Sequence, residues 1–310
     1  MLGAGEAARR RKPTSERRPV AGKRTRAAAP SASTSAEGAS ESIAKPFCKW
    51  VGGKRQLLTH ILPLVPESFG TYHEPFIGGG AVFFALASRR PGIRAHLSDT
   101  NERLVRTYRG IQHDVDAVVR RLRSFPHERE FFLRVRETDI DPKSDAEVAA
   151  WLVYLNKTGY NGLYRVNSKN RFNVPFGDYK NPLILDEDNL RACARVLGHA
   201  TVRCEHFEKV EERAQKGDFV YFDPPYVPLS ATSSFTSYTS DGFGIEEQRR
   251  LRDLALRLKK KGVKVLLSNS SAKAVYELYE RGFTIHTALA SRSINCKPGG
   301  RGRIAELLIE

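Results

Sequence analysis

An acid, two prolines and a tyrosine at residues 223–226 follow the apolar and aromatic run FVYF. Acceptors that bind both N–H groups of an exocyclic amine make its nitrogen more nucleophilic and disperse the positive charge that develops during alkylation. Asp223 supplies a carboxylate, Pro224 a carbonyl whose direction is fixed because proline locks φ, and Tyr226 a flat face for stacking. The stretch predicts a clamp for a planar heterocycle that carries an amine. An ordinary strand ending in an Asp-Pro-Pro turn is the structural alternative.

A glycine loop and a second acid could bind a ligand that contains ribose. TYHEPFIGGG reads as a strand ending in a loop, where Gly78 and Gly80 let the backbone approach a ligand. Asp99 ends the next strand, roughly twenty residues on, where a carboxylate can accept both ribose hydroxyls. The dinucleotide pattern fails because Phe83 replaces its third glycine, so a long phosphate chain is disfavoured. S-adenosylmethionine (SAM) fits such a site. The alternatives are packing glycines and a helix N-cap at Asp99.

Strands and helices alternate before residue 110 and again after residue 200. This order predicts a mostly parallel α/β sheet that is covered on both faces, with Asp223 at its ligand-binding edge. The last segment, GRGRIAELLIE, reads as an edge strand. Between these parts lie charged helical stretches and RVNSKNRFNV, which alternates around a polar turn and predicts a hairpin.

The sequence divides into three parts. Residues 1–44 are poor in large apolar side chains and rich in Arg, Ala and Ser, so they are predicted to be a disordered basic tail. They could contact DNA phosphates or form a solvated leader. Residues 45–109 and 201–310 are predicted to form the sheet domain, and residues 110–200 an inserted, mainly helical domain that carries the hairpin.

Charge points to a polyanionic partner. Lys and Arg total 51 against 35 Asp and Glu, a formal net charge of +16, which favours nucleic acid. The four cysteines form no C-x-x-C pair, so no zinc site is expected, and scattered thiols are typical of a reducing compartment. Neither a membrane-spanning run nor a secretory signal is recognisable. A cytoplasmic protein is predicted.

Five blocks of sequence, in this order, resemble the Dam-type (D12 class) DNA adenine methyltransferases. They are KPFCKWVGGKRQLL, EPFIGGGAVFF, SDTNERLV, GYNGLYRVNSKNRFNVPFG and GDFVYFDPPY. The resemblance implies a Rossmann-like SAM-dependent methyltransferase fold with an inserted DNA-recognition domain. It also implies methyl transfer to the N6 amine of an adenine that is flipped out of duplex DNA. A GATC-like target, a monomer and a bacterial or phage source, with roles in restriction–modification or mismatch repair, are implied in the same way.

The resemblance also assigns residues to roles. The catalytic group comprises Asp223, Pro224 and Tyr226. The cofactor group comprises Trp50, Lys54, Gly78, Gly80, Asp99, Phe207 and Asp223. The DNA-binding group comprises Tyr160, Asn161, Arg165, Asn173 and Pro175.

One position departs from the family pattern. The family carries an Asp before the Phe at 207, where it receives the amine of the cofactor's adenine, whereas this chain has His206. A neutral histidine can accept one hydrogen bond. His206 is also the feature that would favour a DNA-binding module without catalysis, an alternative that calorimetry with SAM discriminates. Methylation of a cytosine amine is a further alternative, which mass spectrometry of nucleosides separates.

Overall fold

The computed structural model describes residues 43–226, 243–291 and 303–310. The predicted basic tail, residues 1–44, lies outside the described residues except for its last two positions.

A seven-stranded sheet forms the centre of the described part of the chain, with the strand order β3-β2-β1-β4-β5-β7-β6. Strands β1 to β5 pair in parallel, and β7 pairs antiparallel with both β5 and β6. The predicted α/β, Rossmann-like class is confirmed. The strands are β1 Tyr72–Glu74, β2 Ala95–Asp99, β3 Ala200–Cys204, β4 Phe219–Phe222, β5 Lys264–Ser270, β6 Ile285–Ser291 and β7 Arg303–Ile309.

The prediction that the final segment is an edge strand is wrong. β7 lies between β5 and β6, and β6 is the outer strand. The reason lies in its side chains, because Leu307, Leu308 and Ile309 are all buried and therefore need cover on both faces of the sheet. The last strand in the chain is inserted into the sheet rather than added to its side.

Ten α-helices lie in the described residues. They are α1 Leu58–Ile61, α2 Ala81–Arg89, α3 Glu102–His113, α4 Val115–Arg123, α5 Arg129–Glu137, α6 Asp145–Thr158, α7 Glu187–Leu197, α8 Val210–Arg213, α9 Ile245–Lys260 and α10 Lys273–Tyr279. None of the helices in the described ranges has the length and apolar content needed to cross a membrane.

The two faces of the sheet carry two hydrophobic cores. In β4, Phe219 and Tyr221 belong to one core, whereas Val220 and Phe222 belong to the other. All four side chains are at most 1% exposed. A strand covered on both faces is continuously apolar rather than alternating, which explains the FVYF run before Asp223.

Helix α6 is the apolar centre of the segment between β2 and β3. A capping box starts it, in which Ser144 and Glu147 exchange hydrogen bonds with each other's backbone N–H groups. It packs closely on α3 at Gly110, where a Cβ atom would lie 2.3 Å from the Asp145 carbonyl oxygen. Only glycine allows this approach, so the helical segment is packed directly on the helix that follows β2.

A buried histidine pair lies on β1 and β2, in the part of the sheet away from the strand ends that carry the candidate site. His73 is 1% exposed, and its Nε2–H donates to Asp218 Oδ2 at 3.1 Å. The ring of His96 lies 5.1 Å from that of His73. Burial lowers the pKa of His73 to about 4 and also lowers the pKa of His96. His73 is therefore neutral in the folded protein near neutral pH.

We expect the free energy of unfolding to fall as the pH drops from about 6.5 to about 4. In that window the unfolded chain binds a proton at residue 73 that the folded chain does not, so acid favours unfolding. At pH 5 the loss from His73 is about 2 kcal/mol. Denaturant titrations at pH 7 and pH 5 measure it. His73→Gln, which keeps an N–H donor for Asp218, should reduce the pH dependence, whereas the control His60→Gln, at an exposed position, should not. Equal pH dependence in the His73→Gln variant and the wild type would contradict this account.

Candidate active site

Asp99 and the glycine loop meet at the carboxyl ends of β1 and β2. The Gly78 N–H donates to Asp99 Oδ2 at 3.1 Å, and the Asn101 N–H donates to Oδ1 at 2.9 Å. Burial raises the pKa of Asp99, and these backbone N–H groups oppose the rise. The carboxylate is thus held in place by backbone donors, and its remaining lone pairs can accept hydroxyl groups.

The glycine loop is shaped by two neighbours. Gly80 has φ of 69°, and a Cβ there would lie 2.6 Å from the Tyr108 hydroxyl, so only glycine fits. That hydroxyl donates to the Gly78 carbonyl oxygen at 3.0 Å. The ring of Trp50 lies against the loop, because a Cβ on Gly78 would be 2.9 Å from Trp50 Cδ1. The structure thus brings together Trp50, Gly78, Gly80 and Asp99.

Asp223 follows β4 and is engaged through one carboxylate oxygen. Its Oδ1 lies 2.8 Å from Lys54 Nζ and accepts from the Ser268 hydroxyl at 3.2 Å. The Ser268 oxygen is in turn 2.6 Å from the Tyr221 hydroxyl. Asp223 Oδ2 has no hydrogen-bond partner among the residues that the structure describes. The second oxygen is therefore available to a donor from a substrate.

Electrostatics at Asp223 are a balance of opposing effects. Its side chain is 19% exposed, and burial is the largest influence, which raises its pKa. The Lys54 ammonium, itself 4% exposed, opposes the rise, as does the Ser268 hydrogen bond, whereas the charge of Glu306 adds to it. Lys54 is thus the main group that favours the ionised carboxylate.

The segment after Asp223 is held by contacts with Lys54, with strand β7 and with helix α9. Lys54 Nζ lies over the Tyr226 ring, 4.6 Å from its centroid, and the Tyr226 hydroxyl donates to Glu306 Oε2 at 2.5 Å. The buried Gln248 side chain donates to the Pro225 carbonyl oxygen at 3.3 Å. The Pro224 carbonyl oxygen accepts no hydrogen bond from the described part of the chain. An unengaged carbonyl and a held aromatic ring therefore flank Asp223.

Phe207 and His206 lie just after β3 and differ in exposure. Phe207 is 1% exposed and stacks on Phe76, with ring centroids 5.3 Å apart. The His206 side chain is 43% exposed, and its Nδ1 lies 3.2 Å from Glu208 Oε2. Phe207 thus packs in the core behind the glycine loop, and the polar group at this position is the exposed His206.

The predicted hairpin is present as a tight turn with one antiparallel bridge, between Val166 and Phe172. Arg165 Nε donates to Asn173 Oδ1 at 2.7 Å and so joins the two arms. The Asn170 carbonyl oxygen at the turn accepts from the Arg103 guanidinium at 2.5 Å. The hairpin is thereby tied to helix α3.

The predicted DNA-binding residues share one surface region around this hairpin. Tyr160 is 49% exposed, and its backbone N–H donates to the Pro175 carbonyl oxygen at 2.9 Å. Asn161 has φ of 55°, a conformation that asparagine tolerates better than most residues. Arg165 and Pro175 are exposed and Asn173 is half-buried. The structure thus brings these five residues together.

Two residues, Asn156 and Tyr164, join this surface to the segment that contains Lys49 and Trp50. Asn156 is 2% exposed, and its side chain bonds both the N–H and the carbonyl of Lys49, at 2.8 and 2.9 Å. It also donates to the Gly162 carbonyl oxygen at 2.7 Å. The ring of Tyr164 stacks on Trp50 with centroids 5.4 Å apart. These contacts therefore fix the turn at Tyr160 relative to the Trp50 ring.

Four supporting residues were not recognised as site residues from the sequence: Ser268, Gln248, Glu306 and Asn156. Two of them leave a signal, because Glu306 is the one charged residue in the run AELLI and Asn156 directly follows the apolar run AAWLVYL of helix α6. A buried polar residue of this kind needs a partner, so it can indicate a site. Their partners are distant in sequence, and the sequence gives no means of pairing them. Among the described residues no group of three or more His, Cys, Asp or Glu side chains is arranged to hold a metal ion.

The sheet order, the glycine loop after β1 and the acid after β4 define a Rossmann-like methyltransferase. A family model of the D12 class N6 adenine-specific DNA methyltransferases matches residues 50–294.

Curated relatives agree with that match. A type II methyltransferase of Lactococcus lactis subsp. cremoris is 46% identical over 273 residues, which cover 86% of this chain and 94% of the relative. A type II methyltransferase of Methanocaldococcus jannaschii is 43% identical over 284 residues, covering 86% and 98%. The DNA adenine methylase of Escherichia coli is 35% identical over 266 residues, covering 84% and 93%. This chain belongs to the D12 class of N6 adenine-specific DNA methyltransferases, and its substrate is DNA.

Proposed function

We propose that this enzyme uses SAM to methylate the N6 amine of an adenine that is flipped out of duplex DNA, within a short, GATC-like sequence. The observation that carries the proposal is the state of Asp223. Its Oδ1 is engaged by Lys54 and Ser268, and its Oδ2 has no partner among the described residues. A free acceptor that lies beside the Pro224 carbonyl and the Tyr226 ring suits a planar base with an amine.

The residues around the glycine loop fit SAM. The half-buried Asp99 carboxylate would accept the ribose hydroxyls, and the loop at Gly78 and Gly80 leaves room for close approach. Trp50 would form a wall of the pocket, and Lys54 would meet the cofactor's carboxylate. We propose the neighbourhood of Phe207 for the adenine end, with His206 as a hydrogen-bond acceptor in place of the family's Asp.

SAM supplies a methyl group on a positively charged sulfur. The protein's part is to position the amine and to stabilise charge. Asp223 Oδ2 and the Pro224 carbonyl oxygen accept the two N–H groups of the adenine amine, which favours a pyramidal nitrogen with a usable lone pair. The nitrogen would become positively charged as its bond to the methyl carbon forms and the bond from that carbon to sulfur breaks, which would leave a neutral thioether. It would then give up one N–H proton to solvent water. The Asp223 carboxylate disperses that charge, while Tyr226 stacks against the base.

We propose that residues 110–200 form the target-recognition domain of a protein that acts as a monomer on double-stranded DNA in the cytoplasm. Arg165 and Asn173 carry guanidinium and amide groups suited to base edges, with Pro175 beside them. Tyr160 and Asn161, which are exposed at the turn after α6, suit the space and the partner base left by a flipped adenine. The net charge of +16 favours the approach to phosphates.

Base flipping and sequence preference are tested with matched duplexes. A duplex with 2-aminopurine in place of the adenine of GATC should become more fluorescent on binding, because the flipped base loses its stacking. A duplex with 2-aminopurine at an adenine outside GATC is the control. Equal fluorescence for both duplexes, or methylation spread over adenines in all contexts, would contradict the proposal.

A further inference from the structure

Glu306 contacts the stacking tyrosine from a strand that is remote in the chain. The Tyr226 hydroxyl donates to Glu306 Oε2. Glu306 lies on β7, and β5 separates β7 from β4 in the sheet. The segment after Phe222 must therefore pass over the carboxyl end of β5 for Tyr226 to reach Glu306. The ring is thus held from a strand other than the one that leads into Asp223.

The backbone of Glu306 is held on both sides. It pairs with Ser270 of β5 and with Ala288 of β6, both in antiparallel register. A residue within an interior strand has little freedom to shift, so it can serve as a fixed point for a side chain on a loop. Glu306 is therefore better suited to orient Tyr226 than a residue on the same loop would be.

The carboxylate of Glu306 is a charged group in a mostly apolar segment of β7, so it requires a stabilising partner. Glu306 is the one charged side chain in the run AELLI at 305–309, whose last three residues are buried. No Lys, Arg or His in the described ranges forms an ion pair with it. Its hydrogen-bond partner there is the Tyr226 hydroxyl, and a half-buried charge is costly without such a partner. Hydrogen bonding to Tyr226 is the interaction that accounts for it.

We propose that Glu306 is a positioning residue for methyl transfer, which holds the Tyr226 ring in the orientation on which the target adenine stacks. The inference rests on the proposed role of Tyr226 as the stacking face. Burial, followed by the charges of Asp223 and Glu306, raises the pKa of Tyr226, so its hydroxyl remains a donor. Glu306 does not need to touch the base, because it acts through the ring.

A double-mutant cycle with the full-length enzyme tests the inference. Tyr226→Phe and Glu306→Ala each remove the same hydrogen bond, so each should lower kcat for DNA methylation about tenfold, with an unchanged KM for SAM. The double variant should be no worse than either single variant, because the two residues act as one unit. Glu306→Gln retains an acceptor oxygen and should stay within about threefold of the wild type. Glu310→Gln, which removes an acid just after the last residue of β7, is the control for the loss of a carboxylate.

The possible results separate the inference from the function on which it rests. Losses that multiply in the double variant, a Glu306→Gln variant as impaired as Glu306→Ala, or wild-type kcat in Tyr226→Phe would each overturn the inference. Tyr226→Ala tests the stacking face itself, and full activity of that variant would contradict the stacking role proposed for Tyr226. A wild-type enzyme that leaves adenine unmethylated would instead contradict the proposed function. Thermal unfolding checks that each variant is folded. If Glu306→Ala does not fold, the tenfold loss in Tyr226→Phe and its absence in Glu306→Gln remain as the test.

Discussion

Asp223→Ala is expected to abolish methyl transfer, with a fall in kcat of about a thousandfold or more, while DNA binding largely persists. The carboxylate is the charged acceptor that stabilises the developing positive nitrogen, and the neighbouring backbone carbonyl cannot replace its charge. Its position depends on Lys54 and Ser268, which remain in the variant. Methyl incorporation from labelled SAM gives the rate, and fluorescence anisotropy with a labelled duplex gives the affinity for DNA.

Two further variants sharpen that result. Asp223→Asn keeps the size of the side chain and one acceptor oxygen but removes the charge, so it should also be severely impaired. Asp253→Ala removes a carboxylate that is 53% exposed on helix α9 and should retain wild-type activity. Retained turnover in the Asp223→Ala variant would remove Asp223 from the mechanism.

Lys54→Met is expected to lower kcat/KM about a hundredfold near neutral pH and to shift the acid limb of the pH–rate profile to higher pH. Burial already raises the pKa of Asp223, and Lys54 is the strongest opposing influence. Without its ammonium the pKa of Asp223 rises further, so at a given pH a smaller fraction of the enzyme has the ionised carboxylate. Part of the lost activity should therefore return as the pH is raised.

The neighbouring position gives a matched control for Lys54. Arg55→Met removes a positive charge from an exposed side chain one residue away, and we expect an unchanged pH–rate profile. Lys54→Arg keeps the charge and should restore the position of the acid limb in part. If Lys54→Met lowers the affinity for SAM but leaves the pH–rate profile of kcat unshifted, Lys54 acts only in cofactor binding and does not keep Asp223 ionised.

Local pattern was enough to predict the architecture of the sheet, but not the place of its last strand. The FVYF run, the glycine loop and Asp99 predict neighbouring parallel strands whose carboxyl ends lie at one edge of the sheet. The structure has β2, β1 and β4 side by side, with Gly78 hydrogen-bonded to Asp99. The position of β7 between β5 and β6 depends on pairing between segments far apart in the chain, which periodicity does not encode. Its three buried residues, Leu307 to Ile309, were the available sign of an interior strand.

In the candidate site, too, some residues can be predicted from the sequence and others only from the folded structure. Residues with chemistry of their own, such as Asp223 and Tyr226, stand out in a sequence because their types and spacing match a reaction. Ser268 and Glu306 become recognisable as site residues only through their hydrogen-bond partners. Ser268 contacts Asp223, which is 45 residues away, and Glu306 contacts Tyr226, which is 80 residues away. Such supporting contacts depend on strand register, which only the folded structure provides.

The most direct test of the account identifies the product of the reaction. The purified protein is incubated with labelled SAM and unmethylated genomic DNA, the DNA is digested, and the labelled nucleoside is identified by mass spectrometry. We expect label in N6-methyl-2′-deoxyadenosine, and none after incubation with the Asp223→Ala variant. Label on the cytosine amine, or no label from folded protein that binds DNA, would contradict it.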